Sequence, residues 1–291
     1  MTDEPFADHR TLLFTIAYEL LGSVADAEDV VQETYLRWTS RPADSEVANP
    51  RAYLAQIATR LSLNRLRTLS RRREDYVGPW LPEPVLTVPD VADDVVLAES
   101  VSLALLVVLE SLAPKERAVF LLREVFGYQH TEIAEALDMT PAAVRQTAHR
   151  AQQHVAARRP RFAADDRLAA QVRERFTAAA TSGDLQGLMD LLAPDVVVLS
   201  DGGGRARTAR RPVRGADPVA RLVVGIVSKA SGGLRLEPVM INGVPGWRVR
   251  VGDHLAAALQ LVIVDQRIEQ VLIMMNPAKL GSLEAARPLA R

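Results

Sequence analysis

The sequence predicts a multi-domain chain in which two all-α segments, joined by a proline-rich linker, are followed by an α+β domain. Three observations carry this. Apolar residues recur at three- and four-residue spacing from about Arg10 to Asp75 and again from about Val91 to Ala157. Prolines crowd the stretch from Tyr76 to Pro89 between them. From about Ala164 two helical stretches give way to strand-like runs separated by turns, the order of an α+β domain with an antiparallel sheet. The expected boundaries are 5–76 for the first helical domain, 77–95 for the linker, 96–158 for the second helical domain and 164–285 for the α+β domain.

Composition bounds what these domains do. The 291 residues are 48% apolar, enough to bury more than one core. The absence of cysteine excludes disulfides, thiolate metal sites and thiol nucleophiles, and fits a reducing compartment. The acidic start Met1-Thr-Asp-Glu-Pro carries no basic region before an apolar run, and the longest apolar run, Leu103 to Leu109, is far too short for a bilayer. The expectation is a cytoplasmic protein without membrane contact. A net charge of -1 argues against coating nucleic acid through bulk charge, so any DNA contact comes from local basic clusters. The histidines are isolated and no phosphate-binding glycine loop occurs, so no metal and no cofactor is expected.

In the first helical domain, Leu12, Leu13, Ile16, Ala17, Leu20 and Leu21 form an apolar face that ends at Gly22-Ser23. The next helix spans Ala25 to Trp38. Ala27, Val30, Val31, Thr34, Tyr35 and Trp38 face a core, which leaves Asp26, Glu28, Asp29, Gln32 and Glu33 for a partner. A solvated helix with acids at its positive N-terminal end reads the same way from periodicity alone. Between Arg60 and Arg73 lie six arginines and no acid. Gln56, Arg60 and Arg67 share one helical side, while Leu54, Ile57, Ala58 and Leu61 share the other. Arg51, Gln56, Arg60, Arg65, Arg67 and Arg71 are therefore candidate phosphate and DNA contacts, since the planar guanidinium fork suits phosphate.

In the second helical domain, Gln129 to Leu137, then Asp138-Met139, then Thr140 to Val155 reads as helix, turn, helix. Thr140 is the N-cap and Pro141 the first helical residue. Val144, Ala148, Ala151 and Val155 face inward. With Thr140 at its start, this helix then offers Ala142, Arg145, Gln146, His149 and Arg150 to a major groove. Asp138 stands where such motifs often have glycine, and aspartate tolerates the left-handed conformation better than most residues.

The order helix, Gly22-Ser23, acidic helix, arginine-rich helix, helix-turn-helix resembles the sigma factors of the extracytoplasmic-function type. The resemblance implies that the acidic helix binds core RNA polymerase. The segment from Asn49 to Arg73 would then hold the promoter element nearer the start site, after a base-capturing loop near Arg41 to Pro50. The second helical domain, after Leu112-Ala-Pro-Lys-Glu-Arg-Ala-Val-Phe, would read the upstream element. The added C-terminal domain resembles the SnoaL-like, NTF2-like cone domain of the SigJ-type members. The linker Trp80, Leu81, Pro82, Glu83, Pro84, the turn Asp201, Gly202, Gly203, Gly204 and the late Asn276, Pro277 and Lys279 carry this resemblance; Ala278 departs from the acid usual there. In that group the fused domain replaces a separate anti-sigma protein, so these residues are expected to regulate activity in cis. The glycine turn is expected to dock the linker.

The resemblance implies a sigma factor with core RNA polymerase and promoter DNA as partners, a monomer when free, with a small ligand in the C-terminal domain as a further expectation. Asp201, Asp253, His254 and Asp265 are the acids and histidine a cyclase- or isomerase-like cone domain would use. Most sit at predicted turns, where exposed acids are ordinary, and no enzymatic activity is expected. A DNA-binding cyclase or isomerase and a helix-turn-helix repressor are the alternatives.

Overall fold

The computed structural model describes residues 4–42, 47–87, 101–158, 166–229 and 233–290, the side chains of residues 4, 70–74 and 166 excepted. The chain divides into two compact units. One holds Met1–Asp75, Thr87–Arg159 and Ala286–Arg291; the other holds Tyr76–Leu86 and Pro160–Ala285. The two helical segments thus share one unit, the first part of the linker folds with the α+β part, and the final residues fold with the helices. Residues 88–95 of the linker, 43–46 of the expected capture loop and the charged boundary at 159–161 lie outside the described residues.

In the first unit α1 (Glu4–Leu21) is buried on every side from Leu12 to Leu21, its apolar residues together with Thr15 and Glu19. Gly22, at φ 64°, ends it and donates its N–H to the Tyr18 carbonyl. Ser23 then caps α2 (Val24–Thr39), its Oγ accepting the Asp26 N–H at 3.3 Å. Ala27, Val30, Val31, Thr34 and Trp38 are buried. Tyr35 departs from the expected core stripe: it is 36% exposed, because Val31, Thr34 and Trp38 already fill the buried side, and its ring meets Phe6 at 5.0 Å. α3 (Pro50–Glu74) buries Leu54, Ala55, Ala58, Leu63 and Leu66, while the buried hydroxyls of Thr59 and Ser62 return to the carbonyls of Ala55 and Ala58.

The same unit continues with α4 (Leu103–Leu109) and α5 (Pro114–Phe120), which runs into a π turn at Leu121–Val125. α6 (His130–Leu137) and α7 (Pro141–Ala156) follow. Arg117 of α5, only 3% exposed, joins the two helical segments. It donates to the Leu109 carbonyl at 3.0 Å, to the Leu20 carbonyl at the end of α1 at 2.8 Å and to Glu110 at 2.7 Å.

The second unit opens with α8 (Asp166–Ser182) and α9 (Leu185–Leu191), then β1 (Leu192–Asp201) and β2 (Val213–Arg214). α10 (Ala216–Lys229) precedes β3 (Leu234–Ile241), β4 (Val244–Val251), β5 (His254–Val264) and β6 (Arg267–Met274), and α11 (Pro277–Leu280) closes it. The strands lie in the order β2-β1-β6-β5-β4-β3. The sheet is not wholly antiparallel as expected: β1 pairs parallel with β6, since the helical excursion and three hairpins return the chain beside its first strand in the same direction. The hairpins turn where the sequence placed them, at Asn242-Gly243, Gly252-Asp253 and Asp265-Gln266. Asn242, Asp265 and Gln266 adopt positive φ there. Phe176, Leu188, Val196, Val219, Trp247 and Val271 fill the core between helices and sheet. Among the described residues no helix is long and apolar enough to cross a membrane.

Candidate polymerase and nucleic-acid interfaces

The acidic side of α2 is built by its buried stripe, which turns the carboxylates outward. They are already engaged. Asp26 and Asp29 both accept from Arg65 of α3, each at 2.6 Å. Glu28 takes Arg10 at 2.8 Å and Arg287 of the C-terminal tail at 2.6 Å, and Glu33 pairs with Arg37 one turn on. The tail is fixed a second time, where the Ala290 N–H donates to the Thr15 hydroxyl at 3.0 Å. Gln32 is exposed beside Tyr35 and Leu36, and Leu36 is 57% exposed. Tyr35 and Leu36 are the large apolar side chains that this otherwise acidic helix exposes. Sequence reading passed over Leu36 because it lies off both the core stripe and the charged positions.

The basic side of α3 is equally occupied. The last carbonyls of any helix lack intrahelical partners and carry negative partial charge. Those of α6 find theirs in α3. Arg60 donates to the Glu135 carbonyl at 2.7 Å and to the Ala136 carbonyl at 2.8 Å, and Gln56 donates to Glu135 at 3.0 Å. Arg51 reaches the Phe126 carbonyl at 3.5 Å and lies 5.0 Å from the Tyr128 ring centre. Arg67 is exposed and donates to Asn64. The side chain of Arg71 lies outside the described residues. Two of the expected DNA contacts, Gln56 and Arg60, are thus spent as a clasp on the helix-turn-helix, and Arg51 is spent on the segment just before it.

That motif has the geometry its sequence indicated. Asp138 ends α6 in the left-handed conformation, φ 57° and ψ 54°, and Thr140 caps α7 by accepting the Ala143 N–H at 3.2 Å. Val144, Thr147, Ala148, Ala151 and Val155 are buried. Ala142, Arg145, Gln146, His149 and Arg150 are all exposed, on one continuous face. Arg150 makes only a long 3.7 Å pair with Glu116.

In the second unit the linker lies on the glycine turn. Asp201 is fully buried at the end of β1 and faces only donors. Its carboxylate accepts the Tyr76 hydroxyl at 2.5 Å, the Leu81 N–H at 2.9 Å, the Gly203 N–H at 3.0 Å and the Lys279 ammonium at 2.8 Å. Lys279 also donates to the Leu81 carbonyl at 2.6 Å and sits 4.2 Å from the Trp80 ring centre. Asn276 caps α11 through the Ala278 N–H and donates to Tyr76 at 2.9 Å, with Pro277 as the first helical residue. Leu81 is 1% exposed. Beyond it Ser282 bonds the Pro84 carbonyl, and the buried Asn242 side chain takes the Val85 N–H at 2.8 Å. Pro82 stiffens the strap between these anchors, and Glu83 is half-buried within it.

The glycines permit this approach. A Cβ on Gly203, at φ 58°, would meet the Asn276 amide at 2.3 Å; one on Gly204, at φ 71°, would meet Val77 at 3.3 Å. On Gly202 it would meet Thr208 at 2.5 Å. Burial first, and the hydrogen bond to Asp201 second, hold the Tyr76 phenol above its ordinary value. Its contribution to the docked state is whole below a pH of about 10 and is lost only as pH rises through that raised value.

The acids weighed for catalysis are not poised for it. Asp201 has its lone pairs taken by four donors, and Asp253, His254 and Asp265 are exposed at turns. Asp201 is the exception to the exposure expected at a turn, because its donors come from distant positions in the chain.

Two helical modules, one with an acidic and a basic helix and one with a helix-turn-helix, define a two-part transcription initiation factor. Residues 6–72 match Sigma-70 region 2 and residues 102–155 match Sigma-70, region 4. ECF RNA polymerase sigma factor SigJ of Mycobacterium tuberculosis is 44% identical over 229 residues, covering 77% of this chain and 73% of that one. The probable ECF RNA polymerase sigma factor SigI of the same organism is 32% identical over 282 residues, covering 95% and 94%. The crystal structure of M. tuberculosis SigJ shares the fold with a TM-score of 0.78 at 35% identity, covering 97% of this chain and 99% of that one. The chain belongs to the extracytoplasmic-function RNA polymerase sigma factors: it directs RNA polymerase to promoters.

Proposed function

We propose that this sigma factor restrains itself in cis, with its polymerase-binding and promoter-binding side chains doubling as internal clasps until core polymerase displaces them. The observation that carries this is the use of Arg60 and Gln56 on the α6 carbonyls. Asp26, Glu28, Asp29, Gln32 and Glu33 bind core polymerase, with Leu36 as their apolar neighbour. Arg51, Gln56, Arg60, Arg65, Arg67 and Arg71 hold the downstream promoter element. Thr140 to Arg150 read the upstream one. The strap Tyr76–Leu86, clamped on Asp201, fixes the length of chain free to span the two DNA-binding modules. The free protein is a cytoplasmic monomer. A small ligand of the second unit would occupy the open apolar groove of about 700 Å³ bounded by α8, Leu236, Met240 and Trp247.

The tail gives the direct test. Arg287 covers Glu28 through a part-exposed pair, and such pairs contribute about 0.2–1 kcal/mol. Replacing Arg287 with alanine is expected to raise the affinity of the full chain for core polymerase, by roughly 1.4-fold to fivefold for that energy, in a titration followed by fluorescence anisotropy. Unchanged or weaker binding contradicts a restraining role for the tail.

A further inference from the structure

The loop between β1 and β2 seats the strap through its glycines, but its arginine side chains take no part in the clasps described above, and it is the most basic exposed stretch in the second unit. Arg205, Arg207, Arg210, Arg211 and Arg214 fall within ten residues, and no acid occurs from Gly202 to Ala216. All five are exposed. Among the described residues none has an ion pair, in a chain whose net charge is only -1. The acids that flank the loop are spent elsewhere, Asp201 on Lys279 and Asp217 on Arg221.

The loop is also built rather than slack. The Gly202 carbonyl accepts the N–H groups of Arg205 and Ala206 at 2.9 and 3.0 Å. Val213 and Arg214 pair with Val198 and Val197 at the edge of the sheet, and the Gly215 N–H reaches the Val196 carbonyl at 2.9 Å. Gly78 of the strap, at φ 88°, lies against the backbone of Arg210, where an added Cβ would sit 3.7 Å from its Cα. The guanidinium groups are therefore presented from a fixed backbone, and little backbone freedom is lost when they are bound.

We propose that this arginine loop is an additional DNA contact of the initiation complex, a sequence-independent grip on promoter phosphates. Guanidinium forks pair with phosphate oxygens, and phosphate contacts supply affinity without sequence. Between Gly202 and Arg214 there is no aromatic residue to anchor a protein interface and no Asn or Gln to read a base edge. Chain length brings the loop to the same duplex. Arg73, at the end of the basic helix α3, precedes Gly78 by five residues, which span at most about 18 Å. That is about half a turn of DNA, whose repeat is about 34 Å, and it holds for any arrangement of the two units. The proposal rests on the sigma-factor assignment.

The test is the salt dependence of promoter binding by the full chain assembled with core polymerase, comparing the native chain with the triple variant Arg207→Ala, Arg210→Ala, Arg211→Ala. Removing one arginine–phosphate pair lowers the magnitude of the slope of log K against log[KCl] by about 0.9. The expected result is a slope shallower by about 2–3 units, the same on promoter fragments with altered spacer sequence, and restored by lysine at the three positions. Core-polymerase affinity and the thermal midpoint are expected to stay unchanged, because the three side chains are exposed and unpaired. An unchanged slope overturns the proposal. So does a loss confined to core-polymerase affinity, which would assign the loop to an acidic protein surface. Failure of the native chain to bind core polymerase at all would instead overturn the assignment on which the proposal rests.

Discussion

Replacing Asp201 with alanine is expected to destabilise the second unit by about 3–5 kcal/mol and to release the strap. Removing one partner of a buried ion pair leaves the other charge uncompensated, which is the source of that magnitude. Here the loss is wider than one pair. Lys279, with 13% of its side chain exposed, would lose its carboxylate, and the Tyr76 hydroxyl, the Leu81 N–H and the Gly203 N–H would each lose an acceptor. Tyr76→Phe removes one hydroxyl, which donates to Asp201 and accepts from Asn276, and is expected to cost less, about 1.5–3 kcal/mol. Chemical denaturation of the full chain gives the energies. Hydrogen exchange then locates the effect: the Leu81 amide should exchange much faster in the Asp201→Ala variant, while the Val85 amide, held by Asn242, keeps most of its protection. Equal loss at both amides would mean that the strap is not fastened at two separate points.

Substituting Arg117 by methionine is expected to weaken the first unit by about 3–5 kcal/mol, for a related reason. Methionine fills the volume of the stem but leaves Glu110, whose side chain is 21% exposed, and the carbonyls of Leu20 and Leu109 without their shared donor. Because Leu20 belongs to α1 and Glu110 to the turn after α4, the loss falls on the junction between the two helical segments. Arg117→Lys keeps the charge but cannot serve acceptors in three directions, so it should recover only part of the loss. Calorimetry of the full chain measures the difference. A fall below 1 kcal/mol for the methionine variant would show that Arg117 does not hold the segments together.

Much of this was legible in the residues, and the rest was hidden for identifiable reasons. The helices of the first unit, the break at Gly22-Ser23, the cap at Thr140, the left-handed Asp138 and the three hairpin turns depend on neighbours within a few positions, and local patterns find them. The parallel pairing of β1 with β6 joins strands some 70 residues apart, for example Val198 with Val271, and has no local signature. Asp201 reads as a turn acid until donors from positions 76, 81 and 279 are brought to it. Arg60 reads as a phosphate ligand, and its bonds to the α6 carbonyls required knowing that two helical segments share one unit. Tyr35 was obscured for the opposite reason, since an aromatic residue at the spacing of a buried stripe is ordinarily taken for core.

Self-restraint of the kind proposed makes the closed first unit incompatible with initiation, so that it must open. The chain has no cysteine, so Gln56→Cys and Glu135→Cys would introduce its sole thiols at the clasp between α3 and α6. Bridging them with a short, reducible thiol cross-linker fixes the clasp in the full chain. In vitro transcription with core polymerase is expected to fall at least tenfold on bridging, about 1.4 kcal/mol, relative to the unbridged double variant, and to recover to that variant's level on reduction. Full activity with the bridge in place would contradict the account, because initiation would then proceed with α3, and Arg60 on it, still held on the helix-turn-helix.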